Sequence, residues 1–384
     1  MTTLLVLVAI SVVGPLVAAR ARVPGAVVLI LTGIGVGPMG LGWVVDRGSV
    51  TFLAELGFLI LMFIAGLEID FEELRVAGPR ALLAPGLTAL GGFAVALAVG
   101  ARLGWPASRV LVLAAMSLGM PIAVMQETET IKLPVGRFVL LTASIGEFAS
   151  IVGITGWQIV TRVGVGLSLL RELGLVLFAF TISAAAIRWA RALVWWYPKA
   201  FERTAQDHAS AEIGVRTGLL IMFAFVAFMR LFGIEAILGA FLAGTLVGFV
   251  LREKHPLERK VAALGHGLFI PVFFTIVGVR FDPRALDRDA VMLAGALVGL
   301  AAAAKLVPAL AFGPRALSLR DRLAAGALLS APLTLVVAIG AVGRELGVVN
   351  GTEAAAYVLT ALVLSVVFPP LFRLFVRSSK PATP

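Results

Sequence analysis

The sequence predicts an all-α, polytopic membrane protein. The chain has 384 residues, of which 60% are hydrophobic and 14% charged, whereas soluble globular domains carry about a quarter charged residues. Its mean hydropathy is +1.03, and apolar runs close to the length of about 20 residues that a membrane helix needs recur along it. Strands of a membrane barrel would alternate in polarity, but these runs are apolar on all sides. The spanning elements are therefore predicted to be helices.

About thirteen apolar runs mark the predicted transmembrane helices, and some of them are short or broken. The first is interpreted as a retained span rather than a signal peptide, because no basic region precedes it and no clear cleavage site follows. The predicted spans cover residues 2–19, 24–44, 50–69, 81–101, 110–125, 138–160, 173–189, 213–229, 236–251, 261–279, 290–312, 323–342 and 354–376.

The charge distribution indicates orientation rather than nucleic-acid binding. The net charge is +10, but the basic residues are scattered between apolar runs and no stretch interleaves them with aromatics, so no nucleic-acid partner is expected. With thirteen spans, one side of the membrane holds roughly 21 Lys and Arg and the other about 10. The richer side includes 190–212, 252–260 and the C-terminal tail. We expect a multi-pass membrane protein with its N-terminus outside and its C-terminus in the cytoplasm.

The connection after the seventh span combines basic and aromatic residues, which predicts a helix lying in the membrane interface. The residues concerned are Arg188, Arg191, Trp195, Trp196, Tyr197 and Lys199.

Two predicted spans are interrupted by proline, the fifth within 117–121 and the twelfth within 330–334. A proline inside a helix removes a backbone donor and clashes with the preceding turn, although membrane helices also tolerate kinks. The two spans lie seven apart, so they run in opposite directions, and matched interruptions in inverted halves point to a site near the midplane. Each proline is expected where the backbone leaves α geometry. The residues predicted at the crossing are Gly119, Met120, Pro121, Ser330, Pro332 and Thr334.

Two ionisable residues lie deep inside predicted spans, Glu147 and Lys305. A charge at the centre of a bilayer costs at least about 2.5–3.5 kcal/mol on insertion scales, so such residues usually have a function. Their distances from the cytoplasmic ends are about 13–14 Å and 10–11 Å, which allows them to pair. A buried ion pair that only fixes helix packing is the alternative. Ser144 and Ser150 lie three residues away on the same helix face, where their hydroxyls could bind a cation beside Glu147, and Ser117 is the third hydroxyl predicted to bind it.

Three stretches resemble the bacterial monovalent cation:proton antiporter family, which includes Na+/H+ and glutathione-gated K+/H+ exchangers. They are Leu53-AELGFLILMFIAGLEID-Phe71, Gly233-IEAILGAFLAGTLVG-Phe249 and Phe269-IPVFFTIVGVRF-Asp282. Together with the thirteen-span layout and the paired interruptions, they extend the resemblance over essentially the whole chain.

The resemblance implies a Na+/H+ antiporter-like fold, an inverted repeat in which two broken helices cross beside the ion site. The chain 1–384 would be one transport domain, with a dimerising scaffold (1–79 and 163–289), a mobile ion-binding core (80–162 and 290–377) and a short cytoplasmic tail (378–384). Where members carry Asn-Asp or Gln-Asp, this sequence reads Gly146-Glu147, and Lys305 stands where electrogenic members keep a lysine. No regulatory domain like that of the glutathione-gated branch is expected, and neither is gating by nucleotide or glutathione. The resemblance also implies a location in the bacterial inner membrane.

The hypothesis is a secondary active antiporter that exchanges Na+ or K+ for protons at Glu147, which acts as the shared site. If Lys305 stays protonated, exchange is electroneutral; if it releases a proton, two protons exchange for each cation. The chain is not expected to be an enzyme or to hold a cofactor, and its partners would be monovalent cations, protons, the lipid bilayer and a second copy in a homodimer. The alternatives are a sodium-coupled symporter of an organic anion, a channel, and an intramembrane enzyme or non-transporting sensor.

Overall fold

The computed structural model describes residues 2–21, 23–69, 71–196, 210–231, 236–250 and 255–377, and these contain helices and no strand. A π-helical turn, Gly265–Phe269, and a short 3-10 helix, Pro283–Ala285, lie among the α-helices. The α-helices are α1 Thr2–Ala21, α2 Gly25–Val36, α3 Ser49–Glu68, α4 Phe71–Leu103, α5 Ala107–Ala114, α6 Gly119–Glu127, α7 Pro134–Val163, α8 Leu167–Trp196, α9 Ser210–Leu231, α10 Ala236–Val250, α11 His255–Leu264, α12 Ile270–Val279, α13 Arg288–Phe312, α14 Leu319–Leu329, α15 Leu333–Glu345 and α16 Gly351–Arg377.

The predicted polytopic all-α fold is confirmed, because each predicted apolar run overlaps a helix or a broken helix among the described residues. Within the described ranges, nine helices are long and apolar enough to cross a membrane, and two shorter apolar helices, Gly25–Val36 and Ala236–Phe249, add to them. The chain is therefore a multi-pass membrane protein.

Two predicted boundaries are wrong. The second span ends at Val36 rather than residue 44, because the chain turns at Gly37 and again at Gly42, whose φ of 67° favours glycine. The seventh span, predicted to end at residue 189, corresponds to α8, which continues to Trp196 because residues 175–196 contain no glycine or proline. The predicted interfacial residues up to Trp196 therefore belong to α8 instead of a separate helix, while Tyr197 and Lys199 lie outside the described residues.

One compact unit consists of Met1–Val12, Trp43–Phe71 and Ile159–Ile276. Within it, glycines allow α3 and α10 to bring their backbones into contact. A Cβ added to Gly66 would lie 2.6 Å from Thr245 N, and one added to Gly244 would lie 2.9 Å from the Phe63 carbonyl carbon. Small residues at such contacts are typical of helix packing in membranes.

The second compact unit consists of Val13–Gly42, Glu72–Gln158 and Val277–Pro384. It contains both interrupted helices together with α13 and α16, and it contains both intramembrane charges, Glu147 and Lys305. The division into a scaffold and a mobile core stays a prediction.

Both predicted interruptions are present. Residues 115–118 separate α5 from α6, and residues 330–332 separate α14 from α15. Pro332 leaves α geometry as expected, with φ −87° and ψ 59°. The same expectation for Pro121 is wrong, since Pro121 is the third residue of α6. A proline fits the first turn of a helix because the N–H groups there have no partner within the helix.

Candidate functional site

Glu147 lies on α7 and is 1% exposed. Its carboxylate faces the first interruption, where Oε2 accepts a hydrogen bond from the Leu118 N–H at 3.1 Å and Oε1 accepts one from Ser117 Oγ at 3.4 Å. Leu118 is the N-cap residue of α6. The carboxylate therefore lies at the positive end of the α6 dipole, where a negative charge is stabilised.

A second side chain of α7 holds the same interruption. Ser150, which is buried, accepts a hydrogen bond from the Met116 N–H at 3.1 Å and donates one to the Gly146 carbonyl at 2.6 Å. This hydroxyl therefore satisfies a backbone donor that the interruption leaves without a helical partner. The sequence placed Ser150 on the correct face but did not reveal this partner.

The Met116 side chain packs between glycines on two helices. A Cβ added to Gly146 on α7 would lie 2.8 Å from Met116 Cβ, and one added to Gly92 on α4 would lie 2.6 Å from Met116 Cε. Separations below 3.0 Å require a neighbour to move, and Met116 Cβ is anchored directly to the backbone. Gly146 is thus the residue that allows the interruption to lie against α7.

The second interruption meets the first through one pair of hydroxyls. Ser117 Oγ and Thr334 Oγ1 lie 3.1 Å apart and share a hydrogen bond, and Thr334 is the second residue of α15. The crossing predicted near Glu147 is therefore formed by these two side chains. Ser330 lies in the second interruption, where its hydroxyl donates to the Gly326 carbonyl at 2.7 Å.

Lys305 is fully buried on α13, and its Nζ donates a hydrogen bond to the Leu113 carbonyl. Leu113 lies in the last turn of α5, where carbonyl groups lack helical partners. The ammonium therefore lies at the negative end of the α5 dipole, which stabilises a positive charge. The predicted ion pair between Lys305 and Glu147 stays a prediction.

The other predicted residues lie around this centre. Gly119 and Met120 are the first two residues of α6, and Ser144 is buried on α7, one turn before Glu147. Among the residues with described positions, there is no group of three or more His, Cys, Asp or Glu that could hold a metal ion.

Comparison with known proteins shows the family. Residues 7–377 match the transmembrane sodium/hydrogen exchanger family. This chain belongs to the sodium/hydrogen exchanger family. Among relatives, YjbQ of Bacillus subtilis is 27% identical, and the alignment covers 94% of this chain and 61% of YjbQ. The Na+/H+-K+ antiporter GerN of Bacillus cereus is 26% identical, with 91% of this chain and 89% of GerN covered.

A solved exchanger shares the fold. The structure of the sodium proton antiporter MjNhaP1 from Methanocaldococcus jannaschii matches with a TM-score of 0.65 over 98% of this chain and 95% of that chain, at 13% identity. The family match confirms the resemblance that the sequence motifs indicated, and the solved structure shows the shared fold. The present chain departs from the Asn-Asp or Gln-Asp pair that the resemblance implies. Gly146 stands in place of the first, polar residue, and Met116 packs against it.

Proposed function

We propose that this chain is a secondary active antiporter that exchanges Na+ or K+ for protons by alternating access. The observation that carries the proposal is a single buried carboxylate, Glu147, at the crossing of two interrupted helices in a sodium/hydrogen exchanger. The antiporter relatives support this reaction over a sodium-coupled symporter of an organic anion or a non-transporting sensor.

Competition at Glu147 would couple the two ions. One carboxylate cannot hold a proton and a metal ion at once, so cation binding displaces the proton and protonation releases the cation. The Leu118 N–H and the Ser117 hydroxyl orient the carboxylate. Ser117, Ser144 and carbonyl oxygens of the interruptions would supply the remaining cation ligands.

The number of protons exchanged for each cation depends on whether Lys305 releases its proton. Its hydrogen bond to the Leu113 carbonyl gives the ammonium a partner that does not change with the protonation of Glu147. A neutral amine could donate the same bond, so the stoichiometry is a proposal of its own: Lys305 keeps its proton throughout the cycle, one proton exchanges for one cation, and the cycle is electroneutral.

The membrane arrangement is part of the proposal. The excess of Lys and Arg in alternate loops supports an outside N-terminus and a cytoplasmic C-terminus. The family resemblance supports a homodimer in the cell membrane, with the interrupted helices in the moving core.

The test uses purified protein in proteoliposomes loaded with Na+, K+ or Li+ and a pH-sensitive dye. Dilution into cation-free buffer should acidify the lumen, because outward cation flow drives proton entry. Glu147→Gln should abolish this signal while the protein stays monodisperse, since glutamine keeps the shape but cannot exchange a proton. Glu172→Gln, on α8, is the control and should transport normally. Proton-coupled flux that persists in Glu147→Gln would contradict the assignment.

A further inference from the structure

The interrupted helix α5–α6 is tied to α16 at both of its outer ends by an Arg–Glu pair. Near the start of α5, Arg109 donates two hydrogen bonds to Glu353 Oε1, from Nε at 3.1 Å and from Nη2 at 2.7 Å. At the end of α6, Arg373 pairs with Glu127. The two pairs therefore hold opposite ends of the helix that carries the first interruption.

The two ion pairs differ in how far they are buried and in the neighbouring side chains that contact them. The side chains of Arg109 and Glu353 are 26% and 12% exposed, whereas Glu127 is 63% exposed. Exposed ion pairs contribute little, and charged hydrogen bonds shielded from water contribute more. Arg109 also lies over the Trp105 ring, 5.8 Å from its centroid. The pair at the α5 end should therefore be the stronger of the two.

Neighbouring residues reinforce the α5 end. One turn after Glu353 on α16, the fully buried Tyr357 donates its hydroxyl to Ser108 Oγ at 3.0 Å. Glu353 is itself fixed at the start of α16, where its N–H donates to Asn350 Oδ1 at 2.8 Å. Two adjacent residues of α5 thus contact two residues of α16 that lie one turn apart.

The position of α5 determines the geometry of the ion site. The helix has only 8 residues, too few to be stable by itself. Arg109 precedes Leu113 by four residues, so the two lie on one helix face and are joined by one helical hydrogen bond. The Leu113 carbonyl accepts from Lys305, and the interruption that contacts Glu147 begins two residues later. A shift of α5 at Arg109 would therefore move both groups.

We propose that Arg109, Glu353, Ser108 and Tyr357 form a clamp, here called the α5–α16 clamp, which positions the first interruption for ion binding and stays closed throughout the exchange cycle. The proposal rests on the exchange function proposed above. These residues act through α5, and they are positioning residues.

The first experiment measures the KM and maximal rate of cation exchange in proteoliposomes. Arg109→Gln should raise the KM about tenfold, because a shielded pair of charged hydrogen bonds is lost. The matched change Arg373→Gln, at the exposed pair, should raise it less than about threefold. Arg109→Lys keeps the positive charge and should recover part of the loss. An equal KM for Arg109→Gln and Arg373→Gln would overturn the proposal.

Tyr357→Phe keeps the test decisive if Arg109→Gln does not fold, because it removes only the hydroxyl that contacts Ser108. It should raise the KM while the purified protein still folds and stays monodisperse. A KM equal to that of the wild type would contradict the clamp.

The second experiment uses the absence of native cysteine from the sequence. In the double variant Arg109→Cys with Glu353→Cys, a bifunctional thiol reagent should join α5 to α16. The cross-linked protein should transport with a KM closer to that of the wild type than the protein before cross-linking. Blocked transport after cross-linking would show that the two helices separate during the cycle. A wild-type protein that exchanges no cation would instead refute the exchange function.

Discussion

The two helix interruptions differ in how their backbone groups are satisfied. The first receives side chains from other helices: Ser150 and Glu147 accept its N–H groups, and Lys305 donates to the carbonyl just before it. The second is satisfied largely within its own segment. There, the Ser330 N–H donates to the Ala327 carbonyl at 3.0 Å and the Leu333 N–H to the Ala331 carbonyl at 3.1 Å.

This difference shows that an inverted repeat can hold a chemically asymmetric site. Glu147 accepts a hydrogen bond from the first interruption and Lys305 donates to the Leu113 carbonyl two residues before it, whereas α15, which follows the second interruption, supplies the Thr334 hydroxyl. The first interruption therefore depends on distant residues for its shape, whereas the second carries its own support. Substitutions that touch the first interruption should have larger effects than equivalent substitutions at the second.

The largest effect on stability is expected for Lys305→Gln. This change leaves the Leu113 carbonyl and the end of α5 without their cation, and a buried charged hydrogen bond contributes about 1.5–3 kcal/mol. The melting temperature should fall by several degrees, while exchange persists and stays independent of membrane voltage. The exposed Lys132→Gln is the control and should melt like the wild type. An unchanged melting temperature for Lys305→Gln would contradict the structural role, and lost exchange would contradict one-for-one stoichiometry.

Gly146→Ala should have the next largest effect, because the new methyl group would lie 2.8 Å from Met116 Cβ. Overpacking of this kind typically costs about 1–3 kcal/mol, and the displaced interruption should also raise the KM for the cation. The control on the same helix is Gly156→Ala, where an added Cβ meets nothing within 4 Å. Thermal unfolding and exchange kinetics compare the two variants. If they behaved alike, Met116 packing would not shape the site.

Ser150→Ala and Ser330→Ala compare the two interruptions directly. Each hydroxyl donates to the carbonyl four residues earlier, at 2.6 Å for Ser150 and 2.7 Å for Ser330, but only Ser150 also accepts the Met116 N–H. Ser150→Ala leaves that donor buried and unsatisfied, which costs about 1–3 kcal/mol. Ser330→Ala removes only a local bond and should cost less than about 1 kcal/mol. Chemical or thermal unfolding should separate them, and equal losses would show that the interruptions are supported alike.

Hydropathy predicted most of the fold, because lipid forces each spanning segment to be apolar and to satisfy its own backbone. It did not predict where helices end. The segment from Gly37 to Gly42 is apolar, so hydropathy includes it in the second span, but its glycines turn the chain. Helix α8 continues beyond its apolar run because no glycine or proline interrupts it before Trp196. Pro121 marked the first interruption, but the irregular residues precede it.

The two ionisable residues of the candidate site were also visible in the sequence, because Glu147 and Lys305 are costly inside apolar runs. Their hydrogen-bond partners were not visible. Every residue has a carbonyl, so no pattern singles out Leu113 as the acceptor for Lys305. For the same reason, the Met116 N–H that bonds to Ser150 could be identified only from the path of the interruption.

The central claim is that one carboxylate, Glu147, binds either the cation or a proton. The direct measurement is proton release when Na+ or K+ is added to purified protein in weakly buffered detergent solution containing a pH dye. Because a metal ion displaces protons from its ligands, the wild type should release up to about one proton per bound cation. Glu147→Gln should release none. Equal release from Glu147→Gln, or cation binding to the protonated wild type without release, would contradict the claim.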